Sequence, residues 1–114
     1  MIQSEFFTSA VIVIEFRANG SIGRKVHPGK RLVERQDLVQ WRNYTNEKIC
    51  LTFPEYTRVF EEFPAGGVVH FNPHQGLTYT VKIDAEHGEY PYRVQNEETG
   101  EYYQGDSDPR IDVL

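Results

Sequence analysis

The chain predicts an all-β fold: a Greek-key antiparallel β-sandwich or barrel of about seven to eight short strands, in one domain over residues 1–114. Three observations carry this reading. Runs of four to six β-branched and aromatic residues recur along the whole length, turn dipeptides separate them, and only residues 55–62 could carry a helical turn or two. Its 114 residues suffice for one two-layer core and are too few for two.

The first strand is Val11-Ile12-Val13-Ile14-Glu15-Phe16, closed by the punctuation of Asn19-Gly20 and Gly23. Residues 31–34 and 38–41 are two further extended runs, parted by Arg35-Gln36-Asp37. Ile49, Leu51 and Phe53 alternate with Cys50 and Thr52, the period of a half-buried strand, and Pro54 ends it. Thr57, Val59 and Phe60 leave the helical stretch at 55–62 ambiguous, because β-branched and aromatic residues lose rotamer freedom in a helix. Strands are expected again at residues 68–71, 79–83, 90–94 and 111–114. Gly66-Gly67, Asn72-Pro73, Gln75-Gly76, His87-Gly88, Thr99-Gly100 and Asp108-Pro109 supply the intervening turns.

Composition bounds the function. Charged residues make up 25% and hydrophobic residues 39%, as in an ordinary soluble globular protein. The apolar run from Ala10 to Ile14 is far too short to span a bilayer, and no basic segment or cleavage site marks a signal peptide, so the expected location is cytoplasmic unless the chain is a processed form. Seven basic and four acidic side chains leave +3 over residues 1–43, and five against thirteen leave −8 over residues 44–114, for a net charge of −5. That acidic portion disfavours nucleic acid and anionic membrane as partners. Arg24, Lys25, Lys30, Arg31 and Arg35 are the nearest approach to a basic patch, and they read as a solvated face.

Several segments together resemble a known family. Val26-His27-Pro28 leads into a strand, a turn at Gln36-Asp37 follows, and Val39-Gln40-Trp41-Arg42-Asn43 has the form V-x-W-x-N. Gly76-Leu77-Thr78-Tyr79-Thr80-Val81 and Gly88-Glu89-Tyr90-Pro91-Tyr92-Arg93-Val94 follow, the latter of the form G-x-Y-x-Y-x-C with valine in the last place. This series resembles the cupredoxins, the fold of the blue-copper proteins, over nearly the whole chain; Gln36 replaces the glycine usual at that turn. The resemblance implies a copper site of two imidazoles, a thiolate and a weak axial thioether. It places the first histidine at Lys48 or Ile49 and the cysteine at Val94, with the second histidine and the methionine between Gln95 and Tyr103. None of the four ligands stands at those positions, and the only methionine is Met1. Type 1 copper is therefore expected to be lost, with Ile49 and Val94 packing together where the metal would sit.

The remaining candidates are few. Cys50 falls on the face opposite Ile49 and Leu51, so it does not rescue the site. His70 and His74 have ligand-like spacing and offer a divergent, histidine-based metal site as the alternative reading, although Asn72-Pro73 interrupts the strand between them. Glu61-Glu62 and Glu97-Glu98 are adjacent pairs that a strand would point opposite ways, and Asp106-Ser107-Asp108 has no neighbouring histidine to act as base, so no enzyme is expected. Tyrosines are the residual signal: Tyr102 and Tyr103 in the loop that would wrap the metal site, with Tyr44 and Tyr56, suggest a surface for a protein partner or a second copy of the chain. The expected function is a non-enzymatic binding or structural module with no cofactor. The alternative is a metal-handling or redox protein.

Overall fold

A computed structural model of the chain describes residues 10–20, 23–105 and 108–114; Met1, Asp106 and Ser107 lie outside them. Eleven strands are present among the described residues: β1 (Val11–Asn19), β2 (Gly23–His27), β3 (Lys30–Val33), β4 (Leu38–Asn43), β5 (Ile49–Thr52), β6 (Val68–Phe71), β7 (Gly76–Thr80), β8 (Gly88–Pro91), β9 (Arg93–Asn96), β10 (Tyr102–Tyr103) and β11 (Arg110–Val113). One helical turn, α1 (Tyr56–Val59), follows Pro54.

The strands form sheets in the orders β2-β1-β4-β7, β10-β9-β5-β6 and β3-β11-β8. A purely antiparallel arrangement does not hold. β1 pairs with β4 in parallel, Ile14 opposite Trp41, and β3 pairs with β11 in parallel, Leu32 opposite Asp112. The reason is the path of the chain: β2 folds back on one side of β1, β3 crosses to another sheet, and the return brings β4 onto the other side of β1 running the same way. The expected strand at 90–94 is split at Tyr92, so that β8 pairs with β11 while β9 pairs with β5 and β10. The expected strand at 79–83 instead runs over Gly76–Thr80, because Gly76 to Thr80 pair with β4 while Val81 bridges to Phe60.

Alternation decides what is inside. Ile14 and Phe16 of β1, Val39 and Trp41 of β4, and Ile49 and Leu51 of β5 are fully buried, and Cys50 between the last two is only half-buried. Rings join the layers: Trp41 meets Phe53 at 6.4 Å, Phe60 at 5.6 Å and Tyr92 at 5.6 Å, and Phe16 meets Phe71 edge-on at 5.3 Å. Each such pair adds about 0.5–1.5 kcal/mol beyond the area it buries. One lateral seam is closed by Gln104, whose carbonyl accepts from the Val26 amide at 2.9 Å and whose amide donates to the Arg24 carbonyl at 3.3 Å.

Gly67 fixes the entry to β6. Its φ is +74°, and a Cβ there would lie 2.4 Å from the Phe53 carbonyl oxygen. The Gly67 carbonyl in turn accepts from the Phe53 amide at 2.7 Å, so two backbones approach where only glycine fits.

Candidate functional site

The end of the sandwich where the resemblance would put a metal is built from the connections 44–48, 72–75 and 97–101. Asn43, the last residue of β4 and of the V-x-W-x-N motif, ties two of them. Its amide nitrogen donates to the carbonyls of Glu47 at 2.8 Å and Asn72 at 3.0 Å, and its oxygen accepts from the Thr45 amide at 2.9 Å and the Thr45 hydroxyl at 2.7 Å. That saturates the four bonds an asparagine amide can make, which is why it tolerates near-complete burial. The third connection joins through the Glu97 amide, which donates to the Lys48 carbonyl at 2.8 Å. Asn96 closes its turn by accepting from the amides of Glu98 and Thr99.

Both positions of the expected apolar replacement are fully buried. Their register differs from a direct pair: Val94 stands opposite Leu51, and Ile49 stands opposite Asn96. Val94 and Ile49 are therefore diagonal neighbours on one inward face, about 7–8 Å between Cα atoms rather than in the closest cross-strand position. Neither side chain has a donor atom for a metal. Among the described residues no group of three or more histidine, cysteine or acidic side chains is placed to hold an ion. The residues present do not fit type 1 copper.

His70 and His74 do not converge. His70 projects from β6 and its Nδ1 lies 2.5 Å from Glu97 Oε1, whereas His74, with a φ of +63°, turns its Nε2 to Asn46 Oδ1 at 2.9 Å. Pro73 and the turn it starts separate them, as the break at Asn72-Pro73 implies. Cys50 stands opposite His70 on β6 and Gln95 on β9, on the outward face. Burial, and secondarily the Glu97 carboxylate, push its thiol up, which is the opposite of activation.

The tyrosines part company as well. Tyr103 is not a loop residue: it pairs with Val94 in β10 and is buried, so it offers no surface. Tyr102, its neighbour on the other face, is 52% exposed. Adjacent strand residues point opposite ways, and that alternation divides the pair. Tyr56 packs on Phe63 at 5.6 Å and accepts the Gly66 amide on its hydroxyl at 3.1 Å. Tyr44 lies at the end of β4, its ring 4.3 Å from the Arg17 guanidinium and 5.5 Å from that of Arg42.

A cluster that no sequence spacing announces sits beside this end. Glu47 receives Arg24 through Nε at 2.9 Å and Nη2 at 2.6 Å, and the Tyr103 hydroxyl donates to the same carboxylate. Arg24 also reaches Glu101 at 3.0 Å. The Arg24 fork holds the Glu47 carboxyl below its ordinary range despite partial burial. Burial, then the Glu47 carboxylate, push the Tyr103 phenol up to about 12. Of the basic residues grouped in the sequence, Arg24 is held by Glu47, Lys30 lies 3.8 Å from Asp112 and Arg35 donates to the Ala85 carbonyl. The partners are far apart in sequence, so no local pattern could have found them.

This architecture is a cupredoxin-like β-sandwich, as comparison with solved structures bears out. The chain is similar to a proline-to-glycine variant of amicyanin in its reduced Cu(I) form at pH 4, with 14% identity, 94% of this chain and 85% of that chain covered, and a TM-score of 0.54. It is likewise similar to an oxidized proline-to-alanine variant of amicyanin, at 16% identity, 92% and 83% coverage and a TM-score of 0.54. An oxidized methionine-to-lysine variant gives 14%, 91% and 82%, and 0.53. At such identities the likeness is one of fold. No protein-family model matches the sequence, and no curated protein sequence matches it. No helix among the described residues is long and apolar enough to cross a membrane.

Proposed function

We propose that the chain is a non-enzymatic binding module, one domain in extent, that uses the cupredoxin-like sandwich without type 1 copper. The observation that carries this reading is the full burial in the apolar core of Ile49 and Val94, positions to which the resemblance gives an imidazole and the thiolate. Two buried β-branched side chains stabilise that end by about 1.5–3 kcal/mol each. Asn43 supplies the loop cross-links. The exposed sheet faces then remain for a protein partner.

The test is metal analysis of the purified protein, followed by addition of copper and of zinc. The expected result is less than stoichiometric metal and no intense visible absorption with copper. Stoichiometric metal that disappears in a His70→Ala variant would replace this reading with a metal-handling one.

A further inference from the structure

We propose that the outward face of β2, β1 and β4 binds a carboxylate-bearing segment of a partner protein; this deepens the binding-module reading and rests on it. Register places the side chains. Glu15 stands opposite His27 on one side and Arg42 on the other, and Arg17, two residues on, stands opposite Lys25. These residues alternate with the buried Phe16, Val26, Trp41 and Asn43, so they project outward together.

One carboxylate is set among four basic groups. Glu15 is engaged by Arg17 at 2.7 Å, while Lys25 and Arg42 have no carboxylate partner among the described residues. Arg17 faces Lys25 across an antiparallel pair, a like-charge juxtaposition that costs stability. Arg42 lies across Gly76, where a Cβ would come within 3.4 Å of its Cγ and Nη1, so the absence of a side chain there gives the guanidinium its place. Tyr44, 40% exposed, completes the patch with both guanidiniums against its ring. Arg42 donates through Nη1 to Gln40 Oε1 at 3.4 Å and Arg17 through Nε to Glu15, which leaves each guanidinium further N–H donors for a planar carboxylate.

Charge and size select the occupant. Three adjacent strands span about 10 Å, room for two or three carboxylates of an extended segment. Beyond β4 the sheet continues into β7, whose residues Gly76–Thr80 include no basic side chain, so a long polyanion gains nothing past this patch. A short acidic peptide segment meets only the basic part.

The experiment is a titration of the isotope-labelled full chain with capped hexaglutamate, followed by amide shifts, on a sample whose metal content has been measured. Expected are shifts confined to residues 15–17, 25–27 and 42–44, weakened by added salt. Lys25→Gln combined with Arg42→Gln should lower affinity about three-fold to ten-fold, and Arg93→Gln on another face should leave it unchanged. Absence of shifts up to about 1 mM peptide overturns the proposal. So does tighter binding of oligothymidylate or a heparin fragment of equal charge at this face, or self-association of the chain that the double variant abolishes. Failure with metal-free protein counts against this face alone; stoichiometric copper with intact peptide binding counts against the preceding reading and leaves this one standing.

Discussion

The Tyr103 hydroxyl donates to the Glu47 carboxylate across 56 residues of sequence. It joins the shortest strand, β10, to the connection between β4 and β5, while Arg24 holds the same carboxylate from β2. Tyr103→Phe should therefore destabilise by about 1–2 kcal/mol, the worth of a charge-assisted bond discounted for a partly exposed acceptor. Glu47→Ala should cost more, since it also strips Arg24 of its fork. Urea unfolding of both variants measures this, and equal stability of Tyr103→Phe and parent would remove the bond from the account.

The cluster fixes how stability follows pH. The Glu47 carboxyl is depressed in the folded state, so its contribution is complete above the ordinary value of 4.5 and is lost as pH falls through the lower folded value. The Tyr103 phenol is raised from 10.0 to about 12, so its contribution is complete below pH 10 and fades as pH rises toward 12. Tyr79, Tyr90 and Tyr92 are raised too, first by burial. Unfolding free energy followed against pH should fall on both limbs, and Glu47→Gln should flatten part of the acid limb.

Asn43→Leu, similar in volume, should cost about 2–4 kcal/mol, because two carbonyls and the Thr45 amide lose their partner together. Amide exchange should accelerate most at 44–48 and 72–75. Uniform acceleration would mean that Asn43 supports the core rather than the loops.

Gly67→Ala should be at least as damaging, about 2 kcal/mol or more, since it combines a left-handed φ with a backbone clash. Gly100→Ala is the comparison: its φ is +77° but nothing lies within 4 Å, so it carries the conformational cost alone. Thermal unfolding should rank Gly67→Ala clearly below Gly100→Ala.

Ile49→His joined with Val94→Cys tests whether these positions correspond to ligands. Diagonal neighbours on one inward face can reach a common ion, so added copper should give a thiolate charge-transfer band that neither single variant shows. A folded, colourless double variant would break the correspondence.

Much of the frame was readable from residues alone, because burial on a sandwich is a period-two property. Ile49, Leu51 and Phe53 point inward and Cys50 outward as their alternation requires, and Asn43 ends its strand where the motif ends. What escaped depended on partners distant in sequence. Residues 23–27 are too polar to announce a strand, and β2 exists by pairing with β1. Two residues cannot declare β10, which is defined by Gln95 and Val94 alongside it. The division of Tyr102 from Tyr103 follows from that pairing, and the Arg24, Glu47 and Tyr103 cluster from the seam that Gln104 closes.

Asn43 has a consequence for how this end of the molecule comes into being. Its four bonds all run to atoms of the same polypeptide, two of them to Thr45 and the others to the main-chain oxygens of Glu47 and Asn72. A clasp of that kind shuts as the chain around it folds, and because neither an amide nor a hydroxyl titrates or changes oxidation state near neutrality, pH and redox conditions have no handle on the clasp itself.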